Sequence, residues 1–353
     1  MAKALIAMSG GVDSSVAALL TKNAGYDCIG CTMRLFTNED AGVQSRTCCS
    51  LNDVEDARSV AYRLGMPYYV FNFSDDFKKQ VIGKFVDCYF AGATPNPCID
   101  CNRYMKFGKL CERAEILGCD VIVTGHYARI EKSGGRFLLK KGLDACKDQS
   151  YVLYAMTQAE LSRTLLPLGG LHKSEVRAVA AENGFLNADK PDSQDICFVP
   201  DGDYAAAIER FSDRVSPPGD FIDAEGRVLG KHKGIIHYTV GQRRRLGISI
   251  GSRCYVSAID PEKNTVTLTA GEGLLTNVVT VRDVNWIACD GLGRPEKLTA
   301  KLRYRHPAQP AVVEQTGEDT VRLTFDTPQR AATRGQAAVF YDGDTVVGGG
   351  TIA

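Results

Sequence analysis

The chain has 353 residues, is 44% apolar and 24% charged, and carries 42 basic and 42 acidic side chains. That length suits two or three domains with real cores. Zero net charge argues against a purely electrostatic nucleic-acid binder, and the apolar run near the start, Ala4 to Met8, is far too short for a secretory signal or a membrane span. The expectation is a cytoplasmic protein without a membrane partner. Thirteen cysteines, an odd number in a long chain, fit a secreted disulfide scaffold poorly.

Taken in order, "ALIAM" (4–8) reads as a short strand and "VDSSVAALLTKNAG" as a helix closed by Gly25. "YDCIGCTMRLF" is strand-like. "SLNDVEDARSVAYRLG" offers Ser50 as an N-cap and an apolar stripe at Val54, Ala57, Val60, Ala61 and Leu64. "PYYVFNF" is a strand, "DDFKKQVIGKFVDCYFAG" and "CNRYMKFGKLCERAEILG" are helices, and "CDVIVTGH" is a strand. This alternation predicts an α/β domain, a Rossmann-like parallel sheet with helices on both faces. After about residue 200 the pattern shortens to alternating runs, among them "RCYVSAI", "TVTLT", "VTVRDVNWI" and "TVRLTF", separated by Gly, Pro, Asp and Asn. They predict two small β-rich domains, the last a barrel. The expected divisions are 1–205, 206–276 and 277–353.

Basic residues are unevenly spread. From Gly226 to Ile259 there is no acid, yet Arg227, Lys231, Lys233, Arg243, Arg244, Arg245 and Arg253 are present. Lys297 to Val313 repeats the pattern with Lys297, Lys301, Arg303 and Arg305. Local basic stretches on a neutral protein suit a polyanion docked at defined places.

The stretch "IAMSGGVDSS" sets a Gly-Gly turn between the first strand and the first helix. Glycines let a backbone approach an anion, and the helix N-terminus offers free N–H groups with a positive dipole end. No lysine follows the glycines, so this is not the common G-x-x-x-x-G-K-[ST] loop. Asp13 would repel a bare phosphate but suits one bridged by Mg²⁺. "SGGVDS" resembles the pyrophosphatase loop of ATP-adenylating enzymes, which split ATP between its α and β phosphates.

Cys98 and Cys101 form a C-x-x-C pair, and a metal site would need a second pair. Cys28 and Cys31 are the candidates, but an odd separation on a strand sends their side chains to opposite faces. Cys101 begins a predicted helix near Arg103 and Lys106, a setting that favours the thiolate. Cys197 lies in "KPDSQDICFVPDGDY", a polar loop. Cys48 and Cys49 are adjacent and read as bystanders.

"AMSGGVDSS", "TPNPCIDCNRYMKF", "GHYAR", "KDQSYVLY", "LPLGGLHKSEVR", "DSQDICF", "YTVGQRRRLGI", "RYRHPAQP" and "FDTPQRAATRGQ" occur in that order over essentially the whole chain. Together they resemble the tRNA-specific 2-thiouridylases. The resemblance implies an enzyme that adenylates the wobble uridine of tRNAs for Lys, Glu and Gln and replaces its 2-oxygen with sulfur. A cysteine desulfurase or sulfur-carrier protein would be the donor. It implies ATP contacts from Ala7, Met8, Ser9, Gly10, Gly11, Val12, Asp13, Ser14, Met33 and Gly125. Cys197 would carry the persulfide and Cys101 would be the second catalytic cysteine, the two closing a disulfide as the product leaves. Asn96, Pro97 and Cys98 would border the uridine, and His126, Lys147, Asp148, Gln149, Arg303, Tyr304 and Gln336 would contact tRNA. Many family members carry Asp where this chain has Cys98. Cys98, Cys101 and Cys197 therefore also admit a [4Fe–4S] cluster as the sulfur carrier, and both routes remain open on the sequence.

Overall fold

In the computed structural model, residues 1–37, 51–192, 196–248 and 253–353 are described. Ser50, Cys48 and Cys49 lie outside them. The chain divides into two compact units: residues 1–81, 98–202 and 344–346, and residues 82–97, 203–343 and 347–353.

The first unit is built on β1 (Lys3–Ala7), α1 (Val12–Asn23), β2 (Asp27–Arg34), α2 (Leu51–Arg63) and β3 (Tyr68–Asn72). The chain goes on through α3 (Ser74–Phe77) and a π-helical stretch (Lys78–Ile82) to α4 (Gly83–Phe90), which belongs to the second unit. A second helical run comprises α5 (Pro97–Asp100), a π-helical stretch (Cys101–Lys109) and α6 (Leu110–Ile116). The helix therefore starts at Pro97, not at Cys101: proline is preset for the first helical position and its missing N–H costs nothing there. β4 (Val121–Val123), the hairpin β5 (Ala128–Ser133) and β6 (Arg136–Lys141), α7 (Ser150–Leu153), α8 (Gln158–Ser162), β7 (Thr164–Leu165) and α9 (Lys173–Glu182) follow.

The sheet order is β3-β2-β1-β4-β7, and every pairing is parallel. Alternate residues serve opposite faces. Ala4, Ile6 and Cys28 pack with Val16 and Ala17 of α1, Ala57 and Val60 of α2, and Val176 and Ala180 of α9. Leu5, Ile29 and Cys31 pack with Leu110 and Ala114 of α6. Cys28 and Cys31 thus lie on opposite faces, as their spacing demands, and share no site. Burial in this core pushes both thiols above their ordinary range.

The second unit holds α10 (Tyr204–Phe211), β8 (Gly219–Ile222), β9 (Val228–His232), β10 (Tyr255–Asp260) and β11 (Thr265–Thr269). These strands form a sheet ordered β10-β11-β8-β9. The rest is β12 (Leu275–Trp286), β13 (Glu296–Lys301), β14 (Gln309–Gln315), β15 (Val321–Arg330), β16 (Ala337–Asp342) and β17 (Thr345–Ile352). β12 pairs with β15 and also with β17, which closes the ring into an antiparallel barrel. Val281, Val313, Leu323, Phe325 and Phe340 fill it. The start of β17 belongs to the first unit, where Thr345 pairs with Lys140 of β6.

Candidate active site

The turn after β1 is fixed by backbone geometry. Gly10 has φ +75°, and a Cβ there would stand 2.3 Å from the carbonyl oxygen of Asp53. Only glycine fits that approach without strain. Gly11 is the N-cap of α1 and supplies no side-chain cap, so the first N–H groups of the helix have no intrahelical acceptor and face the turn. Ser9 N–H donates to Ser14 Oγ at 3.1 Å, and Ser14 Oγ and Ser15 Oγ donate to Gly11 O at 3.0 and 3.1 Å. The loop is held by its own hydroxyls. Gly125 follows β4, and a Cβ there would lie 2.8 Å from the Asp13 carbonyl carbon and 2.9 Å from Ser14 N. Its bareness lets the chain press against the start of α1. Met33, on β2, packs into the face that α6 covers.

Asp13 sits in the first turn of α1, where a carboxylate is favoured. Its Oδ1 accepts from Tyr127 Oη at 2.7 Å, and Lys173 Nζ donates to Oδ1 at 2.7 Å and Oδ2 at 2.8 Å. The Tyr127 hydroxyl stays protonated, because burial and the Asp13 carboxylate both push its pKa upward. The same ammonium lies 2.8 Å from Asp192 Oδ1, while Lys147 Nζ takes Asp192 Oδ2 at 2.7 Å and Arg177 approaches Oδ1 at 3.3 Å. Burial alone would raise the Asp192 carboxyl; hydrogen bonds from Lys147 and Lys173 outweigh it and hold it low. Beside this cluster, Asn187 Nδ2 donates to Gly10 O and Ser15 Oγ at 3.0 and 2.9 Å. Lys190 Nζ reaches Gly10 O at 3.2 Å, Asp53 at 2.6 Å and Asp56 at 2.7 Å.

Tyr127, Lys173 and Asp192 all fall inside motifs read from the sequence, "GHYAR", "LPLGGLHKSEVR" and "DSQDICF". Motif strings name residues without saying which charges will meet.

His126 is 6% exposed. Its Nε2 lies 3.3 Å from Lys106 Nζ and its Nδ1 2.7 Å from Thr124 Oγ1. An ammonium only donates, so Nε2 is the acceptor and the proton rests on Nδ1. Burial, then the Lys106 charge, hold the imidazole neutral. Asp148 accepts from Gly142 N, Ser150 N and Ser150 Oγ, and Gln149 Oε1 accepts from Tyr127 N. Lys147 is on Asp192. These expected tRNA contacts are thus engaged with the protein itself.

In the second unit, Gln336 Nε2 donates to Thr94 O at 2.8 Å and Pro95 O at 3.3 Å, fixing the chain that runs into Asn96 and Pro97. Arg303 donates to Ala331 O and Thr333 Oγ1, and Lys301 Nζ lies 5.7 Å above the Tyr304 ring. Arg330 stacks over Tyr255 at 4.5 Å, and hydrogen bonds from Arg330 and Arg243 lower the phenol's pKa.

Of the three cysteines singled out in the sequence, Cys98 is exposed and Cys101 and Cys197 are half-buried. All three belong to the first unit. Phe198, next to Cys197, packs edge-on against Phe77 of α3 at 5.8 Å, and Asp76 of the same helix meets Lys109 of the Cys101 stretch at 3.7 Å. α3 therefore touches both cysteine-bearing segments. Among the described residues no three His, Cys, Asp or Glu side chains stand together as metal ligands.

Family models match the chain over residues 2–201 (tRNA methyl transferase HUP domain), 211–270 (tRNA methyl transferase PRC-barrel domain) and 276–352 (Aminomethyltransferase beta-barrel domain). Over 352 residues it is 50% identical to the tRNA-specific 2-thiouridylase MnmA of Clostridioides difficile, covering 99% of this chain and 98% of that one. The protein of the same name from Clostridium acetobutylicum is 50% identical with 99% of both chains covered. The chain belongs to the tRNA-specific 2-thiouridylase family. No helix among the described residues is long and apolar enough to cross a membrane.

Proposed function

We propose that the chain is an ATP-dependent tRNA-uridine 2-sulfurtransferase of the cytoplasm. The observation that carries the reading is near-full-length identity to relatives named 2-thiouridylases. The family models' words speak of methyl transfer, but Cys98, Cys101 and Cys197, all in the first unit, suit sulfur chemistry better. In this reading Ala7 to Ser14, Met33 and Gly125 bind ATP, with residues 1–205 as the catalytic domain and 206–276 and 277–353 as tRNA-binding domains.

The uridine O2 attacks the α-phosphorus and pyrophosphate leaves. The outer sulfur of a Cys197 persulfide attacks C2 and AMP departs with the original oxygen. The Cys101 thiolate then attacks the Cys197 sulfur, breaking the S–S bond, leaving sulfur on C2 and a Cys101–Cys197 disulfide that an external thiol must reduce. The wobble base has to leave its stack to be reached, with Asn96, Pro97 and Cys98 bordering it. Arg303, Tyr304, Gln336, His126, Lys147, Asp148 and Gln149 serve the tRNA, Asp148 by holding the shape of the 142–150 loop and Gln149 by tying that loop to Tyr127. Asp13 is the residue that fits Mg²⁺, a hard cation that favours carboxylate and phosphate oxygens and would offset phosphate charge. No step is assigned to an iron–sulfur cluster. A cysteine desulfurase or carrier protein supplies sulfur, and the tRNAs are those for Lys, Glu and Gln.

The test is mass spectrometry of nucleosides from such tRNAs after incubation with ATP, Mg²⁺ and a desulfurase. Wild type yields 2-thiouridine; Cys101→Ala and Cys197→Ala yield none. Unchanged product from either variant, or pyrophosphate release that needs no tRNA, would overturn the assignment, the latter in favour of a ligase acting on a small substrate.

A further inference from the structure

The stretch from Asn187 to Asp192 is fastened to the phosphate loop at three points. Asn187, 3% exposed, donates to Gly10 O and Ser15 Oγ. Lys190 donates to Gly10 O while paired with Asp53 and Asp56. Lys173, from the first turn of α9, bridges Asp13 of the loop to Asp192. Asp192 stands five positions before Cys197. The bridge is mostly screened from water, since the Lys173 side chain is 12% exposed.

We propose that Lys173 is a positioning residue that couples the phosphate loop to the segment bearing Cys197, so that nucleotide in the loop changes the reactivity of that thiol. This rests on the nucleotide reading above and adds to it an order of events.

The physical reason is competition for one ammonium. Around it stand Asp13 and Asp192 as anions, with Lys147 and Arg177 as further cations on Asp192. A triphosphate arriving at the end of α1 adds several negative charges close to Asp13. The Lys173 ammonium is then drawn toward phosphate oxygens, and its hold on Asp192 weakens. Two sites joined through a shared element are coupled in both directions, so modification of the thiol is felt in turn at the nucleotide site. The arrangement suits the proposed chemistry. A persulfide exposed before its acceptor is activated would lose its sulfur to any passing thiol; one released after nucleotide binding would not.

The test uses the full-length protein and no tRNA. Alkylation of Cys197 by iodoacetamide is followed by peptide mass spectrometry, with Cys289 as internal reference. It is run with and without Mg²⁺ and a non-hydrolysable ATP analogue, whose binding is measured separately by calorimetry. For wild type, nucleotide should change the Cys197 rate at least about five-fold, the low end of ordinary site-to-site coupling. Alkylated protein should bind the analogue with altered affinity. Lys173→Met and Asp192→Asn should each lose the response, and Lys173→Arg should keep it, which separates loss of the bridge from general damage to the fold. If the analogue binds and Cys197 is indifferent to it, or if Lys173→Met responds as wild type does, the coupling is wrong while the nucleotide site stands. If the analogue does not bind wild type, both fall.

Discussion

Single atoms decide the phosphate loop. Gly10 and Gly25 both have positive φ, +75° and +87°, but a Cβ on Gly25 would meet nothing within 4 Å, whereas on Gly10 it would strike Asp53 backbone. Alanine at either position carries the conformational cost of about 1–2 kcal/mol; at Gly10 it adds a clash that flexible side chains cannot relieve. Denaturant titration should therefore show Gly10→Ala more destabilised than Gly25→Ala, and only Gly10→Ala should lose ATP-analogue binding. Equal losses would mean that the contact with Asp53 is unimportant. At this scale the sequence was partly legible. Gly10, Gly11 and Asp13 were visible because a turn between strand and helix has few chemical uses. Lys173, Lys190 and Asn187 were not, because they come from positions more than a hundred and fifty residues away and carry no local pattern. Asp148 and Gln149 were visible as residues that matter, but their hydrogen bonds to the 142–150 loop and to Tyr127 were not.

Among the elements, the helical run from Pro97 to Ile116 departs most from a simple reading. Apolar periodicity foretold a helix, and the structure has one, but with nine residues from Cys101 to Lys109 in π geometry. Period alone does not expose this, because an extra residue per turn shifts the stripe only gradually. Such stretches collect at functional sites. Its consequence is directional: Cys98 and Cys101 are set at an angle to α6 that an α-helix would not give. Removing Gly108, whose Cβ position is 3.1 Å from Arg103 O, should restore α register and swing the cysteines by about 100° relative to α6, one residue's share of a 3.6-residue turn. Far-UV circular dichroism should stay near wild type while 2-thiouridine formation falls at least ten-fold; retained thiolation would show that the π stretch has no part in aiming the thiols. The strands of the barrel were easier, since alternation such as that of β15, buried at Val321, Leu323 and Phe325, is direct. The hairpin β5–β6 and the strands β8 and β9 escaped notice because their patterns are short or polar.

For the molecule as a whole, three buried or half-buried histidines set a pH response. His126 in the first unit and His232 and His306 in the second are all held neutral, burial being the largest cause in each. His232 Nε2 is 3.0 Å from Asn264 O, and its Nδ1 accepts from Gly234 N at 3.0 Å, a bond that protonation would destroy. In the unfolded chain each takes up a proton near pH 6.5. The unfolded state therefore binds more protons below that value, and stability falls as pH drops from about 6.5 toward 5. Lowered carboxylates such as Asp192 and Asp344 add nothing in that window, because they are charged in both states there. Urea midpoints at pH 7.5 and 5.5 test this; a midpoint that is unchanged or higher at pH 5.5 would refute it. The division into a parallel-sheet unit and a β-rich unit follows from the sequence pattern, but not the exchange of segments between them. Asp344, beside the start of β17, accepts from Arg129 and lies near Lys140, all three within the first unit. Residues 344–346 leave the ribosome long after residue 202, so the first unit must wait, with one clasp open, until the barrel's closing strand has been synthesised. Vectorial folding, one unit completed before the next begins, is closed to this chain, and a fusion or cleavage that disturbs positions 344–346 reaches a region that sequence distance alone would place out of range.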